Sequence, residues 1–172
     1  MSVLTACVMA SPVKAQQHMV DRLSVRVRSG ADDLRKGSKL RVWLLLRNGD
    51  VLNRSPVPSK KISAPLPLNC RTDGYCATVP SYTSRSYELV LDRQVPRSEI
   101  DRVVLSFQGG KESVFDSPDN WDLAELEVRA RVRQPDGRQE MVTLVRLNGS
   151  PLYRFRDNES HEWPVTRATV RP

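Results

Sequence analysis

Four side chains with oxygen atoms lie in two polar segments and have the chemistry of metal ligands. Two are in segment 30–38 and two in segment 115–123; they are Asp32, Asp33, Asp119 and Asn120. Calcium takes about six to eight oxygen ligands, many of them from carboxylate and amide groups. The two segments therefore predict a calcium site if the fold brings them together. The alternative is that each side chain only hydrogen-bonds its own turn, as Asx motifs do.

Arginine recurs at every second position in two further segments. These residues are Arg26, Arg28, Arg129, Arg131 and Arg133. Because successive side chains of a strand point to opposite faces, each segment would form a row of positive charge on one face of a sheet. Such a row is either ordinary solvated surface or a patch that binds an anionic surface. Nucleic acid is not an expected partner, because apolar residues rather than aromatic ones alternate with the arginines.

Cys70 and Cys76 are predicted to form a disulfide. Five residues separate them, and the segment between them is rich in turn-forming residues, including Asp73 and Gly74. The alternative is a metal-binding or redox pair. That alternative is weaker, because the sequence has no CxxC motif and no histidine near the pair to complete a zinc site.

The sequence contains no recognisable catalytic pattern. It has only two histidines, His18 and His161, so a nucleophile and base pair would depend on His161. Motifs of serine hydrolases, zinc proteases and nucleotide-binding loops are absent. We therefore predict a protein that is not an enzyme and has no cofactor other than calcium. A small secreted hydrolase or toxin-like enzyme with an unrecognised site is the alternative.

The elements that must position these residues are β-strands. Polar and apolar residues alternate in segments 23–28, 87–91, 103–107 and 126–133, and more apolar strands are predicted at 40–47 and 141–147. Turn motifs separate them, and residues 96–100 could form a single helical turn. Residues 54–82, rich in proline, are predicted to be a long connection across the fold. Seven or eight such strands predict an all-β fold, an antiparallel β-sandwich of about eight strands.

The three tryptophans have different predicted roles in such a sandwich. Trp43 lies in the middle of an apolar strand and is predicted to be part of the core. Trp121 is predicted to pack into one end of the sandwich; alternatively, it joins the arginines in binding an anionic surface, by inserting at a membrane interface. Trp163 is predicted only to anchor the C-terminal tail.

The N-terminus predicts export. An apolar stretch over residues 3–10 precedes Val13-Lys14-Ala15, so residues 1–15 are interpreted as a signal peptide and residues 16–22 as a tail. The alternatives are a lipoprotein leader with Cys7 as the lipidated residue, and an apolar N-terminus of a cytosolic protein. The predicted location is therefore the periplasm or the extracellular medium.

The net charge and the hydropathy of the chain indicate which classes of partner to expect. The chain of 172 residues carries a formal net charge of +7, which favours anionic partners. No apolar run reaches the roughly 18 residues that a membrane-spanning helix requires, so no membrane span is expected.

The order of several motifs resembles the PLAT β-sandwich domain, the module of lipases, lipoxygenases, polycystins and clostridial alpha-toxin. The motifs are Gly-x-Asp-Asp-Leu-Arg-x-Gly-Ser at 30–38, Pro-Arg-Ser-Glu-Ile-Asp at 96–101 and Asp-Asn-Trp-Asp-Leu at 119–123. The resemblance extends over residues 23–132, and residues 149–155 look like the ending of small exported bacterial relatives. Residues 54–82 have no clear counterpart in the family.

The resemblance implies a PLAT-like domain over residues 23–172. It implies an eight-stranded sandwich that binds lipid surfaces or protein partners, sometimes through calcium held by the loops that Asp32 and Asp119 match. The predicted function is therefore a non-catalytic exported binding module that recognises an anionic lipid surface or an envelope protein, with calcium as a potential aid. A protein-interaction or immunity-type partner without lipid affinity is a further alternative.

Overall fold

Eight β-strands account for most of the described residues in a computed structural model, which covers residues 18–52, 68–70, 76–110, 120–134 and 136–166. Within these ranges the helical content is a single 3₁₀ turn, Arg97–Glu99, in the segment predicted to form one. The strands are β1 Met19–Ser29, β2 Lys39–Leu46, β3 Val51–Leu52, β4 Ser84–Pro96, β5 Ile100–Gln108, β6 Trp121–Arg133, β7 Gln139–Phe155 and β8 Glu159–Pro164.

The strands form two antiparallel sheets that pack face to face. The first sheet has the order β4-β1-β6-β7, and the second has the order β3-β2-β5-β8. Alternate residues of β1, β2 and β6 are buried between the sheets and form a common hydrophobic core. This arrangement confirms the predicted antiparallel β-sandwich of about eight strands.

The first strand begins earlier than the sequence pattern indicated. Strand β1 starts at Met19, so the last four residues of the predicted tail 16–22 belong to the sheet. The regular alternation starts only at Leu23 because the register shifts between Val20 and Arg22. This β-bulge leaves Val20 and Leu23 both buried and places Asp21 and Arg22 toward the outer face.

The prediction that Trp43 is a core residue is wrong. Its neighbours Val42 and Leu44 are buried between the sheets, whereas Trp43 is half-buried on the outer face of the second sheet. There it lies opposite Val104 of β5. The sequence misleads here because β2 is apolar on both faces, so its pattern does not reveal which face is inside. Trp163 is buried and contributes to the core beside the tail.

The connection from β3 to β4 passes from the second sheet to the first, as predicted for residues 54–82. Its described part includes the Cys70–Cys76 disulfide, which has a sulfur–sulfur distance of 1.99 Å and confirms the predicted pairing. The buried Asn69 ties this segment to the sandwich: its Oδ1 accepts from the Leu40 N–H at 2.9 Å, and its Nδ2 donates to the Ser38 carbonyl at 2.8 Å. The segment that leads into Cys70 is thereby fixed to the start of β2.

Candidate functional site

The outer face of the first sheet carries a concentration of arginines. All five predicted arginines lie on it, because Arg26 is opposite Glu127, Ser24 is opposite Arg129, and Arg28 is opposite Glu125 in the β1 and β6 register. Two more arginines join them, one from β1 and one from β7. We call this surface the basic face; its arginines are Arg22, Arg26, Arg28, Arg129, Arg131, Arg133 and Arg146.

The alternation of residue types explains why the arginines share one face. Residues between them, such as Val25, Val27 and Ala130, are fully buried against the second sheet. Burial of these apolar side chains fixes the register, since a shift by one residue would turn the arginines into the core. Arg22 follows the same alternation, two residues before Ser24, and it joins the face because β1 begins at Met19, before the segment 23–28 that the sequence pattern indicates.

Carboxylates on the same face neutralise part of the charge. Glu125 lies 3.8 Å from Arg26 and 3.5 Å from Arg28, and Glu127 lies 3.6 Å from Arg146. Glu88 of β4 also reaches this face, opposite Ser24. Asp21 joins them, and in the described part of the sheet these carboxylates are fewer than the seven guanidinium groups, so the basic face retains an excess of positive charge.

Asp21 makes the strongest ion pair of the face. Its two carboxylate oxygens accept from Nε and Nη2 of Arg131 at 2.8 and 2.9 Å, and Arg133 lies 3.7 Å away. The hydrogen bonds from Arg131 lower the pKa of Asp21 below its ordinary value of 3.8. A bidentate pair of this kind is geometrically specific as well as charged.

This pKa shift predicts a pH-dependent contribution to stability. Because the pKa of Asp21 is lower in the folded protein, its contribution is complete above the unfolded pKa of 3.8 and is lost as the pH falls through the folded pKa. We expect Asp21→Asn to have a lower melting temperature than wild type at pH 6, and the difference to shrink in acid. Melting curves from pH 2 to pH 7 test this. A difference that is the same at every pH would mean that Asp21 acts through packing instead.

The described parts of the two segments proposed to bind calcium, residues 30–38 and 120–123, lie at the same end of the sandwich. The backbone N–H of Asp122 donates to the Asp32 carbonyl at 3.3 Å, which joins the end of β1 to the start of β6. Arg154 of β7 bridges the two side chains: Nη2 lies 3.0 Å from Asp32 Oδ2, and Nη1 lies 3.0 Å from Asp122 Oδ1. No local sequence pattern indicates the pair of Asp122 and Arg154, because these residues are 32 positions apart in sequence.

The described members of the proposed calcium set do not form a metal site by themselves. Asp32 is paired with Arg154, and Asp33 lies 3.7 Å from Arg35. Asn120 precedes β6, and Asp119 lies outside the described residues. Among the residues that the structure describes, no three histidine, cysteine or acidic side chains are grouped so as to hold a metal ion. The four-residue calcium site stays a prediction.

Trp121 belongs to the core and cannot take part in surface binding. It is fully buried, its indole N–H donates to Ser29 Oγ at 2.8 Å, and its ring stacks on Phe155 with centroids 5.5 Å apart. The surface role predicted for Trp121 is therefore wrong, because its side chain points inward at the start of β6. The prediction that it packs into the end of the sandwich is confirmed.

His161 lies in an aromatic cluster between the β7 and β8 edges. Its ring centroid is 4.0 Å from that of Tyr153 and 4.6 Å from that of Trp163. The Tyr153 hydroxyl donates to Glu159 at 2.7 Å, and this bond raises the pKa of Tyr153 above 10.0. The Arg156 backbone N–H lowers the pKa of Glu159. These contacts hold His161 by ring packing.

The described strands also leave two apolar side chains on the basic face. Val90 is 63% exposed and Met141 is 39% exposed. They flank the row that Arg22 and Arg131 form across β1 and β6, since Val90 is opposite Arg22 and Met141 is opposite Arg131. The face therefore combines guanidinium groups with exposed hydrocarbon. In the described part of the chain, no helix has the length and apolarity needed to span a membrane.

Comparison with known proteins gives a likeness of fold. No protein family and no curated protein sequence matches the chain. Among solved structures, it is similar to part of the alpha-toxin of Clostridium perfringens from an avian strain, with a TM-score of 0.53 and 8% sequence identity. The alignment covers 88% of this chain and 33% of the toxin chain, so the chain spans about a third of the toxin's length. This likeness supports the resemblance to the module of clostridial alpha-toxin at the level of the fold.

Proposed function

We propose that this protein is a non-catalytic binding module whose basic face docks on an anionic lipid surface of the cell envelope. The observation that supports this most directly is the set of seven guanidinium groups on one sheet face. A guanidinium group presents its N–H donors as a planar fork that matches phosphate oxygens. Each basic residue near an anionic membrane contributes about 1 kcal/mol of attraction.

A lipid surface fits this face better than a protein partner does. Among the described residues this face is the outer surface of one sheet, so its charges can approach a planar layer of headgroups together. Val90 and Met141 add exposed apolar side chains beside the charges. Apolar side chains in such a position can contact the interfacial region of a bilayer. A protein partner with an acidic surface is the second candidate, and the experiment below separates the two.

The disulfide supports an exported location. Disulfides persist in oxidising compartments, such as the periplasm or the extracellular medium, and are rare in the cytosol. The Cys70–Cys76 bond is therefore consistent with export. The proposed leader over residues 1–15, with its lipoprotein alternative at Cys7, lies outside the described residues.

Vesicle co-sedimentation tests the proposed function. We expect binding to vesicles of phosphatidylglycerol and phosphatidylcholine, weak binding to pure phosphatidylcholine, and a loss of affinity between 50 and 500 mM salt in this assay. Neutralising four arginines of the basic face should weaken binding at least about 100-fold, at about 1 kcal/mol per residue. The substitutions are Arg26→Gln, Arg129→Gln, Arg133→Gln and Arg146→Gln.

A matched variant controls for net charge. It removes four arginines that lie off the basic face, through Arg35→Gln, Arg41→Gln, Arg102→Gln and Arg156→Gln, and it should bind nearly as well as wild type. Equal losses in the two variants would contradict docking by the basic face. Absence of vesicle binding by wild type, together with capture of an acidic envelope protein that the basic-face variant does not capture, would favour the protein-partner candidate.

A further inference from the structure

The seven arginines of the basic face differ in how far carboxylates neutralise them. Arg26 and Arg28 share Glu125, Arg146 lies against Glu127, and Arg131 and Arg133 share Asp21. Each of these guanidinium groups already has a carboxylate partner. A ligand would therefore compete with that partner for their N–H donors.

Arg22 and Arg129 are the exceptions. Neither has an ion pair with a carboxylate of the described residues, although Asp21 is adjacent to Arg22 and Glu88 lies on the next strand. The Nε atom of Arg22 is buried and makes no hydrogen bond within the described ranges. Because this Nε atom is inaccessible from the surface, an anion on the basic face would accept from the terminal Nη groups of Arg22.

The sheet register makes Arg22 and Arg129 neighbours. Arg129 is opposite Ser24, two residues along β1 from Arg22, so the two arginines form a diagonal cross-strand pair. Such diagonal neighbours are about 7–8 Å apart, which long side chains can span. Ser24 and Thr143, on either side of Arg129, are small and leave space above the sheet.

The cross-strand row of side chains that contains Arg22 has an apolar residue at each end. Across the sheet, the row that contains Arg22 runs from Val90 through Arg22 and Arg131 to Met141. Val90 and Met141 are two of the three large apolar side chains that are exposed in the described part of the chain. A ligand over this row would meet positive charge at its centre and hydrocarbon at its edges, which is the chemistry of a lipid at its headgroup.

We infer that Arg22 and Arg129 form a binding site for a single phosphate group of a membrane lipid, with Val90 and Met141 against the adjacent glycerol and upper acyl region. This inference rests on the proposed function and adds to it a specific position on the basic face. The two guanidinium forks would each donate to phosphate oxygens in charge-assisted hydrogen bonds. The paired arginines contribute mainly through the general field of the face.

Two double variants with the same change in net charge test this inference. Arg22→Gln with Arg129→Gln removes the unpaired arginines, and Arg26→Gln with Arg28→Gln removes two paired ones from the same face. On phosphatidylglycerol vesicles at 0.1 M salt, we expect the first variant to bind about 100-fold more weakly than wild type. We expect the second to lose no more than about tenfold, because its arginines are already partly neutralised. Melting curves confirm that both variants are folded.

Two further variants measure how much the guanidinium geometry and the apolar side chains contribute to vesicle binding, separately from the charge. Arg22→Lys with Arg129→Lys keeps the charge but not the planar fork, and should still bind about tenfold more weakly than wild type. Val90→Ser with Met141→Ser should weaken vesicle binding several-fold and leave its salt dependence unchanged. A lysine variant that binds like wild type would overturn the phosphate site.

The outcomes distinguish this inference from the proposed function. Equal losses in the two glutamine variants, with wild type still bound to anionic vesicles, would overturn the phosphate site and leave the docking function standing. No binding by wild type would overturn both.

Discussion

Replacing Trp121 with alanine is expected to lower the free energy of unfolding by about 3–5 kcal/mol, the range for loss of a buried aromatic residue. The side chain is fully buried at the end of the sandwich and contacts Phe155 at 5.5 Å and Phe107 at 6.1 Å between ring centroids. Its loss would leave a cavity between the sheets and remove a donor from Ser29 Oγ. Urea denaturation with two-state analysis measures the change.

Two other variants provide a comparison for the destabilisation expected of Trp121→Ala. Trp121→Phe keeps most of the ring volume and should cost clearly less, since the Ser29 hydroxyl still donates to the Val79 carbonyl at 2.9 Å. Trp43→Ala removes a half-buried indole from the outer face and should also cost less than Trp121→Ala. If Trp43→Ala were the more destabilising change, the assignment of these two tryptophans to core and surface would be incorrect.

Arg154→Gln is expected to destabilise the loop end of the sandwich by about 1–3 kcal/mol, the cost of leaving a buried acceptor without its partner. The Asp122 side chain is only 7% exposed, whereas that of Arg154 is 52% exposed, so solvent screening places the effect in the lower part of this range. Removal of the guanidinium also leaves the negative charges of Asp32 and Asp122 close together. Thermal melting in EDTA measures the loss.

The same variant tests the predicted calcium site. A calcium ion and the Arg154 guanidinium would compete for the Asp32 carboxylate, so calcium should stabilise Arg154→Gln more than it stabilises wild type. At about 100 times its dissociation constant, a bound ion adds about 2.7 kcal/mol to stability. Asp32→Ala with Asp119→Ala serves as the control that lacks the proposed ligands. Identical melting temperatures in millimolar calcium and in EDTA, for both wild type and Arg154→Gln, would contradict calcium binding.

Local patterns were sufficient to predict the strands and the disulfide. Residues 23–28 alternate strictly between arginine or serine and buried aliphatic side chains, and this alternation identifies both the strand and its outer face. The turn after β2 contains the turn-forming pair Asn48-Gly49, and Gly49 adopts a φ of +86°, a conformation that glycine favours. The cysteine pair needed only short spacing and turn-forming residues between its members. Each of these features depends on neighbours in sequence.

The position of the site depended on contacts that no local pattern contains. Strand β2 is apolar on both faces, so only its packing against the first sheet decided that Val42 is inside and Trp43 outside. Arg154 meets Asp32 across 122 positions of sequence, and Arg22 joins the basic face because β1 begins at Met19, before the alternating segment 23–28. The strands, the sandwich and the two arginine rows could be predicted from the amino-acid sequence, because alternation and turns are local properties. Which arginines are neutralised could not, because ion pairing depends on which strands lie side by side in the folded protein.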